Sequence, residues 1–229
     1  MEPLYQIKQQ CICCETEFTT SRVRTSFKRA IRTDTDFCGY YKDDINPDFY
    51  VVRVCPGCGF ASTENGIQKL NDRQKEEYFS KVGVRWSTRD YGGARDAQSA
   101  LACYKLALLS AQTVGEKERV ISGILHHIAW LYRYEQKKED ELRFLGFALQ
   151  SYIKVYEEEG EDVNNARLMY MLGELNYRIG ERNEAVKWFS RIVNDKRIMD
   201  AAMIRASREQ WQAIREEMVQ EKAEESAKA

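Results

Sequence analysis

Cysteine is the residue type whose spacing in this chain points to chemistry. Cys11, Cys13 and Cys14 fall within the run QCICCETEF, and Cys55 and Cys58 within VCPGCGF. Cys11-x2-Cys14 and Cys55-x2-Cys58 read as two knuckles. Each such turn aims two thiolates at one ion while backbone N–H groups support the sulfurs, and two of them make a closed tetrahedral zinc site. No export signal is evident, so the thiols are expected to stay reduced, and paired spacing then points to metal or redox chemistry rather than to disulfides. The second knuckle is the better formed: Pro56 pre-sets the turn and Gly59 can take the left-handed conformation that follows the second ligand. The first has Ile12 and Glu15 at those places, and Cys13 inside the turn is expected to be a spectator. Four thiolates leave no open coordination position, so a zinc held by Cys11, Cys14, Cys55 and Cys58 is expected to be structural. Its apparent binding energy of about 10–16 kcal/mol is enough to hold a module with a small core. Cys38 in DTDFCGYY lies outside both knuckles and reads as a partly buried strand or loop thiol, with a reactive thiol as the alternative. Cys103, in SALACYKLALL, reads as a small buried hydrophobe.

The elements that must position these thiols come from a chain written in two styles. All three prolines, both cysteine pairs and the strand-like runs TTSRVRTSF and DFYVVRVC lie within residues 1–66, the expected metal-binding domain. Two strands and a loop would fill the forty residues between Cys14 and Cys55, with the knuckles capping a small antiparallel sheet. A connecting segment, 67–93, holds the loop-like STRDYGGARD. From 94 to 222 apolar residues recur at intervals of three and four, which predicts helices over ALACYKLALLSA, ISGILHHIAWLYRY, LRFLGFALQSYIKVY, LMYMLGELNYRIG and EAVKWFSRIV. The stretch EEEGED reads as a solvated loop. A last helix over REQWQAIREEMVQEK puts Trp211, Ile214 and Met218 on one stripe, and 223–229 reads as a frayed tail. Small and large residues at Leu172-Gly173, Ala185 and Phe189 are similar to a tetratricopeptide repeat, with weaker copies at Ile128-Ala129, Tyr132, Leu145 and Ala148 and at Ala100, Tyr104 and Ala107. The expected fold class is therefore α+β: a small antiparallel zinc ribbon followed by an all-α, tetratricopeptide-like array.

The paired cysteines, DTDFCGYY, the run INPDFYVVRVCPGCGFA and the helical C-terminal half together resemble the bacterial family called domain of unknown function 2225. That resemblance covers nearly the whole chain. It implies a metal-binding ribbon joined to tetratricopeptide-like helices, with no established activity.

Composition narrows the function classes. The chain carries 35 Lys+Arg against 36 Asp+Glu, a formal net charge of -1, which argues against a coat for DNA or for an anionic membrane. No apolar run approaches the roughly 20 residues of a bilayer span, and a cytoplasmic location is expected. The run RVRTSFKRAIR carries Arg22, Arg24, Lys28, Arg29 and Arg32, yet residues 1–66 hold eight Lys+Arg and nine Asp+Glu, so an acidic loop folded onto this strand would neutralise it. Nucleic-acid binding by the ribbon is thus an alternative rather than the favoured reading. In the tetratricopeptide register one helical face carries His126, Trp130, Arg133 and Tyr134, and the next carries Arg167, Tyr170, Glu174, Tyr177 and Arg178. Aromatic and arginine side chains dominate binding hot spots, so these nine residues are the candidate groove for a protein or peptide partner. For Trp130 and Tyr177, packing between helices is an equal alternative. No phosphate loop, HExxH or GxSxG is present, which leaves an enzyme or thiol redox sensor as the third reading. The expected function is a non-enzymatic adaptor with a structural zinc.

Overall fold

The computed structural model describes residues 2–42, 45–159 and 165–228. Small antiparallel strand pairs lie in the N-terminal part and helices follow, an α+β layout. Strand β1 (Leu4–Gln10) pairs with β2 (Glu17–Val23), Leu4 facing Val23 and Gln10 facing Glu17, so the first knuckle sits at the end of this hairpin. Two shorter antiparallel pairs follow, β3 (Arg32–Thr33) with β4 (Gly39–Tyr40) and β5 (Arg53–Val54) with β6 (Ala61–Ser62). The second knuckle forms the loop between β5 and β6. Helices are α1 (Asp72–Lys81), α2 (Ala97–Val114), α3 (Glu118–Tyr134), α4 (Lys138–Glu159), α5 (Ala166–Arg178), α6 (Arg182–Asn194) and α7 (Ala201–Lys228).

Several expectations shift. The strand expected over TTSRVRTSF stops at Val23, and Thr25–Phe27 forms a 3-10 turn. In DFYVVRV only Arg53–Val54 is strand. Asn46 accepts a hydrogen bond from Asp48 N at 2.9 Å and Pro47 fixes its own φ, so Pro47–Tyr50 starts as a capped 3-10 turn. Helix α1 lies in the segment read as a connector; its N-terminus is a capping box between Asn71 and Gln74. The last helix begins at Ala201 and continues to Lys228, through the stretch read as a frayed tail. Of EEEGED, residues 157–159 belong to α4 and 160–162 lie outside the described residues.

Packing divides the chain into two compact units, Met1–Phe144 and Leu145–Ala229, rather than between 66 and 94. The reason is visible in the core of the first unit. Val52, Val54 and Ala61 of the ribbon pack in one cluster with Ala100, Tyr104, Ala107 and Ala111 of α2 and with Ile124, Ile128 and Leu131 of α3. Cys103 is fully buried in this cluster, as a small hydrophobe should be. A ribbon of this size presents too little apolar area to stand alone, so it borrows the small-residue faces of the first helices. Arg95 knits the same region: its guanidinium and backbone N–H donate to Phe49 O, Val52 O, Tyr91 O, Thr20 Oγ1 and the Tyr50 hydroxyl.

In the second unit α5 and α6 form a hairpin around Gly180, whose φ is 96°. A Cβ at Gly173 would lie 2.7 Å from the Phe189 ring, so glycine is what lets the two helices approach. Leu172, Leu175, Ala185, Phe189, Ile192 and Ile214 are fully buried, and α7 packs on α6 and α5.

Candidate metal centre

The two knuckles are built alike, hydrogen bond for hydrogen bond. In the first, Cys11 N donates to Thr16 O and Glu15 N to Cys11 O, both at 2.9 Å; in the second, Cys55 N donates to Phe60 O and Gly59 N to Cys55 O, also at 2.9 Å. The residue after each second cysteine is left-handed, with φ of 64° at Glu15 and 76° at Gly59. Glu15 thus adopts the backbone that its glycine counterpart takes without a Cβ clash. Its carboxylate meets Lys75 of α1 at 3.2 Å.

These turns bring four sulfurs together. Cys11 Sγ lies 3.7 Å from Cys58 Sγ, Cys14 Sγ lies 3.6 Å from Cys55 Sγ, and all four are within 4.8 Å of one another. Tetrahedral thiolates at about 2.3 Å from zinc would be about 3.8 Å apart, close to the spacing of the Cys11–Cys58 and Cys14–Cys55 pairs, so the four cysteines could hold a metal ion. Crowding also displaces the protons: hydrogen bonds from the Cys11 and Cys58 thiols push Cys55 down to about 2, while Cys55 pushes Cys11 up to about 12 and Cys11 pushes Cys58 up as well. A cation replaces such shared protons. Cys11, Cys55 and Cys58 are buried and Cys14 is half-buried.

The surrounding shell is apolar. Phe60, Leu70, Tyr78, Val82 and Val114 pack around the thiols. The Phe60 and Tyr78 rings meet edge to face at 5.0 Å, Tyr78 donates to Cys58 O at 3.2 Å, and Trp86 Nε1 donates to Pro56 O at 2.8 Å. Cys13 is buried in the same shell; its backbone N–H donates to Cys11 Sγ at 3.4 Å and its thiol hydrogen-bonds to Cys58, but it is not one of the four clustered thiols. Helix α1, absent from the sequence reading, is therefore part of the centre's wall.

The other sequence-chosen residues go elsewhere. His126, Trp130, Arg133 and Tyr134 of α3 do not form an open stripe; they turn inward around Asp36 and Asp48. Asp36 is completely buried and accepts from Arg133 Nη2 at 2.6 Å and Nη1 at 2.9 Å, from Trp130 Nε1 at 3.0 Å and from Cys38 N at 3.4 Å, with His126 Nε2 at 3.3 Å. Arg133 also serves Asp34 at 3.0 Å and Glu141 at 2.7 Å. Burial works against its charge, but Asp36 and Glu141 outweigh burial and raise its pKa. Cys38 is fully buried; burial pushes its thiol up to about 12, and its Sγ–H donates to the Tyr134 hydroxyl at 3.4 Å. The acid of DTDFC was the available signal for this cluster, but nothing in the spacing announced Arg133, some hundred positions away, as its partner.

In the second unit Tyr170 and Glu174 are buried, Arg178 Nε pairs with Glu174 at 2.8 Å and the Tyr177 hydroxyl donates to Glu217 at 2.6 Å; only Arg167 is well exposed. The proposed stripe is therefore largely internal there too. The basic run is met partly by the expected acidic loop and partly by another acid. Asp34 of DTD pairs with Arg32 at 3.6 Å as well as with Arg133, Asp36 turns to Arg133, and Glu64 pairs with Arg22 and, at 2.9 Å, with Arg53; Asp43 and Asp44 lie outside the described residues.

Fold and site together define a two-knuckle module with four cysteines able to hold a metal ion, followed by α-helical hairpins. The chain belongs to the family described as "Uncharacterized protein conserved in bacteria (DUF2225)", whose model matches residues 4–214. No curated protein and no solved structure matches the chain. No described helix is long and apolar enough to cross a membrane.

Proposed function

We propose that the protein is a non-enzymatic adaptor in which zinc, held by Cys11, Cys14, Cys55 and Cys58, staples the ribbon to α1. The observation that carries this reading is the closed cage: four sulfurs within 4.8 Å of one another leave a tetrahedral ion no position for substrate or water. Cys38, one of three thiols outside the cage, is buried and held protonated by desolvation, which favours a structural over a reactive role. Partner binding is assigned to the helical unit. Its concave surface along α6 and α7 is lined by Val193, Trp211 and Val219 with Arg208 and Arg215, the aromatic and arginine types that anchor interfaces. The purified protein is expected to carry one zinc per chain by elemental analysis, to keep it in Cys13→Ser and to lose it in Cys14→Ser; metal retained in Cys14→Ser and lost in Cys13→Ser would overturn the ligand set. Protein partners recovered by affinity capture with wild type are expected to be lost with Trp211→Asp, and an unchanged capture profile would remove the adaptor surface.

A further inference from the structure

Two guanidiniums on α7 have no acid to meet. Arg208 and Arg215 are exposed, and among the described residues neither pairs with a carboxylate; Arg215 lies over the Trp211 ring, 5.8 Å from its centroid. Arg178, Arg182 and Arg197 of the same unit each find one, at Glu174, Glu221 and Asp195. The two unpaired charges are regularly placed. They are seven residues apart, so both lie on one stripe of the helix, about 10.5 Å from each other along its axis. Trp211 falls between them, three positions after Arg208 and four before Arg215, and Val219 follows one turn later. With Val193 of α6 these side chains line a groove of about 590 Å³. Glu216, the acid among the described lining residues, accepts from Gln212 Nε2 at 2.8 Å, and two guanidiniums against one carboxylate leave the groove positive.

We infer that the occupant of this groove is an acidic α-helical segment of another protein, laid along α7, with two carboxylates seven residues apart and an apolar side chain between them. This partner chemistry rests on the adaptor reading of the same surface. Carboxylates at that spacing meet Arg208 and Arg215 together, and each guanidinium can donate to both oxygens of its carboxylate. The apolar side chain between them meets Trp211 and Val193. Exposed ion pairs are weak singly, so the arginines select the charge of the partner while the tryptophan and the two valines supply contact area. The helical form follows from what α7 offers. Its backbone N–H and C=O groups in this stretch are spent within the helix, so an extended segment would find no main-chain partners there, whereas a helix arrives with its own satisfied.

The test uses the full zinc-loaded chain and a synthetic, end-capped helical peptide on an alanine background, labelled for fluorescence anisotropy. The peptide carries two glutamates seven positions apart with two leucines between them, and versions with glutamine or lysine in place of the glutamates serve as comparisons. The glutamate peptide is expected to bind about fivefold to tenfold more tightly than the glutamine peptide, with the advantage reduced at high salt. In Arg208→Glu/Arg215→Glu the order is expected to invert, the lysine peptide binding more tightly than the glutamate one. Both substituted side chains are exposed, so the fold is expected to be kept, as circular dichroism would read. Arg208→Gln/Arg215→Gln repeats the test without reversing charge and should bring the glutamate and glutamine peptides together.

No binding of the glutamate peptide, equal binding of the glutamate and glutamine peptides to the wild type, or an unchanged order in the charge-reversed variant would each overturn the inference. Affinity capture separates that failure from failure of the adaptor reading. Partners lost with Trp211→Asp but retained by the charge-reversed variant would leave the adaptor surface standing and remove the acidic helix alone.

Discussion

Arg133→Ala removes one guanidinium that serves three carboxylates in the first unit. Asp36, its main partner, is fully buried, and Glu141 is nearly so. Breaking one side of a buried pair costs about 3–5 kcal/mol, because an uncompensated charge remains. The lower end applies here. Trp130 Nε1 at 3.0 Å and Cys38 N at 3.4 Å still donate to Asp36, and Lys138 remains 3.4 Å from Glu141. The expected loss near neutral pH is about 3 kcal/mol, and with a urea slope of about 2 kcal/mol/M the midpoint drops by about 1.5 M. Acidification separates this account from generic damage. In the wild type, burial chiefly lowers the His126 pKa, with a smaller push from Arg133, and Asp36 opposes them. A depressed histidine costs stability as pH falls below its unfolded value. Removing Arg133 takes away one repulsion and leaves Asp36 seeking a cation 3.3 Å from the imidazole, so the folded His126 value rises. The sign then reverses: once it exceeds the unfolded value of about 6.5, imidazolium stabilises the variant at low pH, and that gain is lost as pH rises through the folded value. Urea melts followed by far-ultraviolet circular dichroism at about pH 5.5 and pH 8 read the difference between variant and wild type. A deficit smaller at pH 5.5 is expected. A loss below about 1 kcal/mol, or a deficit that does not shrink on acidification, would refute the charge-hub reasoning.

Two further expectations bear on the knuckles and on Cys38. Glu15→Gly should stabilise the metal-loaded protein by about 0.5–1 kcal/mol in thermal melts, since Glu15 is held at positive φ; Gly59→Ala should destabilise it by more, because its Cβ would lie 2.4 Å from the Trp86 ring. In native protein with zinc bound, Cys38 should resist iodoacetamide at about pH 8 and become alkylated only on unfolding, read by peptide mass spectrometry; burial holds its thiol near 12, and rapid labelling of the folded chain would contradict that environment.

The cysteine pairs made the metal centre legible in sequence, because a knuckle is a local turn whose ligands lie three positions apart and whose hydrogen bonds close within six residues. The α5–α6 hairpin was readable for a similar reason: Gly173 and Phe189 belong to neighbouring helices, and periodicity places them on facing sides. Helix α1 was missed because its apolar content is low and its signal is the Asn71–Gln74 capping box inside a polar run. The strand over DFYVVRV was overestimated because its β-branched residues are buried by contact with α2 and α3 rather than by strand pairing.

By itself, then, the sequence determined which thiols share a centre, which half is helical and where the tight turns lie, all features set within a few residues or one helical period. Only the tertiary structure decided what the α3 face does. Trp130, Arg133 and Tyr134 have the composition of an exposed recognition surface, and spacing alone cannot distinguish that from a buried polar hub. The decision rests on Asp36 and Asp48, which come from turns far away in the chain and meet α3 only after folding. Buried Asp36 requires donors and a cation and Asp48 a hydroxyl partner, and the helix that supplies them thereby turns its arginine and aromatic face inward.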